Sequence, residues 1–277
     1  RRPHRGRDCG AVGPTVRRCN VAATRRIPRW FPVLLGVLLL PALVAASTGP
    51  KSAPSRELID ATIDLVQRAL RSGDLESVEL ACRRALVLRP DCNDEQFKPV
   101  AQSVSAGLRN KDPRIALVCV RTLGKFRCPG SSRCIARLLA PPRKVKDDWL
   151  PVHLAAIEVA GSLHEPRSVP ALENLVQHDS RQIALAACAA MREYTQAEAE
   201  VRLDLVRRLA NQLGRLEKKK VKGEVAATEL RQLRQALRDC LRVLTRDDRL
   251  ESAADARTWL RKQPKPGDEE ETKPLRG

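Results

Sequence analysis

Aromatic side chains are scarce in this chain, whose 277 residues hold three Trp, one Tyr and three Phe. A β-sandwich draws heavily on aromatic and β-branched residues, so the shortage argues against one. No stretch sustains the two-residue apolar alternation of a half-buried strand. There is no glycine-rich phosphate loop, no Gly-x-Ser-x-Gly elbow and no Cys-x-x-Cys-His haem attachment site. Histidine is confined to His153, His164 and His178 beyond the first 46 residues. Carboxylates are spread singly over helical stretches, and no acid–base dyad assembles from their spacing. No catalytic residue, metal site or cofactor is therefore expected.

What the chain does have is alanine, leucine and arginine in helical periodicity. The clearest stretch runs from Asp112 to Tyr194. Three segments in it overlay without gaps: 113–126, 150–163 and 181–194. Cys119, Ala156 and Ala187 become equivalent, as do Leu123, Ala160 and Met191, and Phe126, Leu163 and Tyr194. The steps are 37 and then 31 residues, inside the range of helical repeats. Small residues recur where neighbouring helices approach closely, with larger apolar residues on the same face. A second apolar helix follows each of the first two segments. Ile135, Leu138 and Leu139 lie at the same offsets from Gly124 as Leu172, Leu175 and Val176 do from Gly161.

Asp112-Pro113-Arg114 opens one of these helices, and Ala160-Gly161-Ser162-Leu163 is followed by Ser168-Val169-Pro170-Ala171-Leu172. On these residues the chain resembles the HEAT-repeat family of α-solenoids over residues 95–195, and more loosely to 262. The resemblance implies an all-α fold, a right-handed α–α superhelix of the ARM/HEAT type built from antiparallel helix hairpins. Its motifs are degenerate and speak to fold more than to function. Gly73-Asp74-Leu75, Val78, Cys82, Ala85-Leu86 and Pro90 also resemble the second helix of a tetratricopeptide repeat, without a matching first helix. The alternative is a generic hairpin that caps the stack.

The rest of the chain continues the helical pattern. Ser55 and Asp74 are placed to cap two helices, and an amphipathic helix is expected over 97–108. Residues 141–148, with Pro141 and Pro142, form an expected basic-then-acidic loop that lengthens the first step. Longer helices are expected over 196–216 and beyond Gly223. A last one, over 248–261, would close the core with Trp259.

Residues 1–46 differ. Nine basic residues and one acid precede a nearly continuous apolar run from Trp30 to Ala46. This is the arrangement of a signal peptide with an exit between Ala46 and Ser47. The run is short for a bilayer span, which needs roughly 20 residues, so a membrane anchor over 30–46 is the alternative. An exported chain (periplasmic, secreted or in the cell envelope) is expected. Removing the leader takes the net charge from +18 to +10. Much of the excess that would suggest nucleic acid thus belongs to targeting. The expected domains are this leader, a linker over 47–54, a helical-repeat domain over 55–262 and a disordered charged tail over 263–277.

Three features remain as site candidates. Seven cysteines follow Ala46, an odd number that excludes complete pairing. Cys119 and Cys188 read as buried apolar residues, whereas Cys128 and Cys134 flank a turn that a disulfide would staple. His164-Glu165 is a single pair, where iron-binding HEAT-like hydroxylases use several. Finally, Arg207, Arg208, Arg215, Lys218, Lys219, Lys220 and Lys222, with Arg231, Arg234 and Arg238 on the next helix, suggest one positive edge. Such an edge attracts acidic partners, but aromatic residues for base stacking are absent from it. The expectation is a non-enzymatic protein-binding scaffold. Polyanion or nucleic-acid binding through residues 202–246 is the alternative, and a HEAT-like metal enzyme is a third reading.

Overall fold

Helix starts in this chain coincide with side chains able to cap them. Ser55 Oγ accepts the Leu58 N–H at 3.3 Å, Asp74 accepts that of Ser77 at 2.9 Å and Asp112 that of Arg114 at 2.8 Å. Asn93 with Gln96, and Ser252 with Asp255, form reciprocal capping boxes. The computed structural model describes residues 54–263. The expected leader with its Ala46/Ser47 exit, the linker up to residue 53 and the tail beyond Gln263 lie outside the described residues.

Among the described residues there are eleven α-helices and no strand. They are α1 (Arg56–Ser72), α2 (Leu75–Leu88), α3 (Asp94–Ala106), α4 (Pro113–Phe126), α5 (Pro129–Ile135), α6 (Leu150–Leu163), α7 (Val169–Leu175), α8 (Arg181–Arg192), α9 (Ala199–Lys218), α10 (Glu224–Thr245) and α11 (Ala253–Arg261). The fold is all-α. Several boundaries depart from the sequence reading: α9 starts at Ala199 rather than 196 and α11 at Ala253 rather than 248, and two further departures have a local cause. The segment after Cys128, expected as a turn, is already helix α5. Arg127 adopts a left-handed conformation (φ 47°) that completes the reversal in two residues, and Pro129 suits a first helical position. Helix α3 starts at Asp94 rather than Phe97 because its capping box lies there, leaving Pro99 inside the helix.

The helices pack in two rows. In one, α2 lies against α4, α4 against α6, α6 against α8 and α8 against α10. In the other, α1 packs on α3, α3 on α5, α7 on α9 and α9 on α11, with residues 136–139 joining α5 to α7. Helix α6 is apolar on nearly every face and has a neighbour on each side, as such a helix requires. The repeat also reaches further back than the sequence overlay. Val78, Cys82 and Leu86 of α2 stand 37 residues before Ile115, Cys119 and Leu123 of α4.

Glycine sets the closest approaches. A Cβ on Gly124 would lie 2.6 Å from Val159 Cγ2 of α6. One on Gly161 would lie 2.8 Å from both the Cα and the carbonyl oxygen of Ala190 in α8. Left-handed residues end the same two helices, Arg127 and His164, again 37 apart.

Polar side chains then tie loops to the rows. Arg89 donates to the carbonyls of Phe126 (2.8 Å) and Cys92 (3.0 Å) and pairs with Asp94 at 2.6 Å. Its guanidinium lies 5.2 Å from the centre of the Phe97 ring, which meets Phe126 edge to face. Buried Tyr194 donates to Glu165 O at 2.9 Å, closing the turn after α6. His153 Nδ1 lies 3.0 Å from Leu138 O and must carry the proton there, because a carbonyl only accepts.

Gly161→Ala tests the close approach. Ala190 backbone cannot rotate away, so the overpacking exceeds the ~1 kcal/mol that alanine gains in a helix. The expected net loss is ~1–2 kcal/mol of unfolding free energy by urea titration. An unchanged or raised stability contradicts the packing.

Candidate functional site

The positive edge is built by the hairpin of α9 and α10. Helix α9 ends inside the lysine run, at Lys218, and Gly223 reverses the chain with φ 92° ahead of α10. Lys218, Lys219, Lys220 and Lys222 are exposed at this tip, as is Arg215 one turn back. Lysines at a helix C-terminus complement its dipole.

The ten cationic residues of the expected edge divide by what they touch. Arg234 donates through Nε to Leu216 O at 3.0 Å, and through Nη2 to Glu217 O at 3.3 Å and Lys219 O at 3.0 Å. It is a cap on the carbonyls that α9 leaves open. Arg208 bonds Asp204 Oδ2 at 2.7 Å and Glu173 Oε2 at 3.0 Å, fastening α9 to α7. These two carboxylates, Asp204 first, raise the Arg208 pKa above the usual arginine value. Gln212 extends the network, donating to Glu173 Oε1 at 3.1 Å and accepting from Gln177 at 2.8 Å. Arg207 lies 3.8 Å from Asp204, and Arg231 donates to Thr228 at 2.9 Å. Arg238 Nε is buried without a hydrogen-bond partner, as is Arg202 Nε. Sequence spacing cannot distinguish a capping arginine from a free one, because both recur on the polar face of a helix.

Beside the tip lies a groove of about 440 Å³ between the α7–α8 loop, α9 and the start of α10. Val176, Leu216, Leu230 and Leu233 give it an apolar lining. Arg181, Arg215 and Lys219 bring positive charge, and Asp179 and Glu229 bring negative charge. His178 sits at its wall. Its Nδ1 accepts the Ser180 N–H at 2.9 Å, so Nε2 carries the proton that bonds Pro142 O at 3.0 Å. That bond secures the Pro141–Asp148 loop next to the groove. No sequence signal marked the groove, since its lining comes from three separated segments.

The other candidates fall elsewhere. Cys128 and Cys134 are free thiols, with Cys128 Sγ 3.1 Å from Ser131 Oγ. His164 occupies the left-handed residue after α6 and meets the Tyr194 ring edge to face, with centres 5.7 Å apart. Among the described residues no group of three or more His, Cys, Asp or Glu could hold a metal, and no helix is long and apolar enough to cross a membrane. No protein-family model matches the chain, and no curated protein matches it.

Arg234→Ala and Lys220→Ala separate fastening from free charge. The first strips the cap from α9 and is expected to cost ~1.5–3 kcal/mol in denaturant unfolding. The second is expected to stay within ~0.5 kcal/mol. Equal effects would contradict the division.

Proposed function

We propose that the chain is a HEAT-like α-solenoid that acts as a non-enzymatic protein-binding scaffold. The solenoid reading draws on the two rows of neighbouring helices and on the 37-residue recurrence of Gly124/Gly161 and Arg127/His164. Such stacks offer extended surfaces that need no catalytic pocket. Among those surfaces, the groove at the α9–α10 tip supports binding best.

The observation that carries this reading is the groove's mixed lining. Apolar Leu216, Leu230 and Leu233 lie beside Arg215 and Lys219, while Asp179 and Glu229 interrupt the positive charge. A polyphosphate chain would meet both carboxylates with repulsion. A protein segment with acidic and apolar side chains satisfies the lysines, the leucines and, through its backbone, the remaining polar groups. The basic tip then attracts the acidic partner before the apolar residues seat.

Polyanion or nucleic-acid binding is the second reading. The exposed cluster Lys218, Lys219, Lys220 and Lys222 favours it. Fluorescence anisotropy distinguishes the two, using an acidic peptide with interspersed leucines, a heparin fragment and a single-stranded oligonucleotide. The peptide is expected to bind, and Arg215→Ala with the four lysines changed to alanine to weaken it about tenfold, or ~1.4 kcal/mol. Tighter binding of heparin or oligonucleotide, with a steep salt dependence, would support the second reading against the first. Binding of none of the three would contradict both.

A further inference from the structure

We propose that the acidic run at residues 268–271 of this same chain docks on the lysine tip of the α9–α10 hairpin and covers the groove beside it until a partner displaces it. Lys218, Lys219, Lys220 and Lys222 are exposed, and among the described residues none of them pairs with a carboxylate. Glu217, next to Lys218, instead accepts the Ala253 N–H at 3.4 Å. Val225, at the start of α10, adds an apolar side chain that is 75% exposed. Beyond Gln263, outside the described residues, the sequence supplies what the tip lacks. Asp268, Glu269, Glu270 and Glu271 are the only four consecutive acids in the chain, and Leu275 follows them. Four carboxylates match four lysines, and the leucine matches the apolar lining of Leu216, Leu230 and Leu233.

The acidic run is also within reach. Helix α11 begins beside the last turn of α9: besides the Glu217 contact, a Cβ on Gly214 would lie 3.4 Å from Ala253 Cβ. The helical advance from Ala253 to Gln263 is ~15 Å. Residues 268–271 stand five to eight positions further on, a reach of up to ~17–27 Å. The run can therefore return to the tip while α11 stays packed on α9. Each exposed ion pair is weak and is screened by salt. The tether compensates, because it holds the run near the lysines at an effective concentration in the mM range. A contact of this kind occupies the tip and still gives way to a tighter partner. The docking needs only the charges and the tether, whereas its effect on a partner rests on the protein-binding reading above.

The test treats the full chain with a water-soluble carbodiimide, which joins a carboxylate to a lysine amine where the two touch. A mixture of unlabelled and isotope-labelled chains separates contacts within one chain from contacts between two. Tryptic mapping by mass spectrometry is expected to join the peptide 263–276 to Lys218, Lys219, Lys220 or Lys222 within one chain. Sodium chloride at about 0.5 M is expected to lower that product severalfold. Cross-links from residues 268–271 that fall instead on Lys262, on lysines elsewhere or between two chains overturn the inference, as does the absence of any. A full chain carrying Asp268→Asn, Glu269→Gln, Glu270→Gln and Glu271→Gln is expected to bind the acidic, leucine-containing peptide about tenfold more tightly than the unaltered chain. Equal, measurable affinity in the two chains overturns the inference and leaves the scaffold reading in place. Cross-links at the tip with no peptide binding by either chain support the docking and contradict the scaffold reading.

Discussion

Close approach between equivalent helices is the constraint on which this structure depends. Gly161 puts α6 directly against the Ala190 backbone of α8, and Gly124 admits the Val159 side chain of α6 against α4. Around these points the contact faces carry Ala116, Cys119, Ala156 and Ala187, all buried and all small. With few aromatic residues available, the core is built from aliphatic side chains, with small residues at the points of close approach. Small residues bring many atoms into contact over short separations, and each contact adds a little dispersion energy. The aromatic residues Phe97, Phe126 and Tyr194 are buried near helix ends.

Arginine has a second task besides charge. Arg89, Arg234 and Arg242 each reach carbonyls of another segment, at Phe126, Leu216 and Leu250 respectively. A guanidinium has five donors and no acceptor, which suits the open carbonyls at helix C-termini. Part of the positive charge of the chain is therefore fastening. What remains at the α9–α10 tip is carried mainly by lysine, whose flexible stem holds no fixed geometry. The tip thus sets exposed lysine beside fastened arginine.

Much of the helical layout was legible in the sequence. Ser55, Asp74 and Asp112 are short acceptors placed before apolar periodicity, and each caps a helix. The 37-residue step was legible too, because Gly124 and Gly161 cannot be exchanged for larger residues. Its extension to Cys82 was hidden, since α2 also fits half of another repeat pattern and has Arg89 where α4 has Phe126. The groove was not legible, because Val176, Arg215 and Leu233 converge only through the packing of α7, α9 and α10.

The central proposal is that the helices form a stack in which each unit depends on its immediate neighbours. Amide hydrogen exchange resolved along the chain tests it most directly. A nearest-neighbour stack has its slowest amides in α4, α6 and α8, with protection falling toward α1–α2 at one end and α11 at the other. That gradient is the result expected here. Uniform protection from α1 to α11, or the slowest exchange in α1 or α11, would contradict the account.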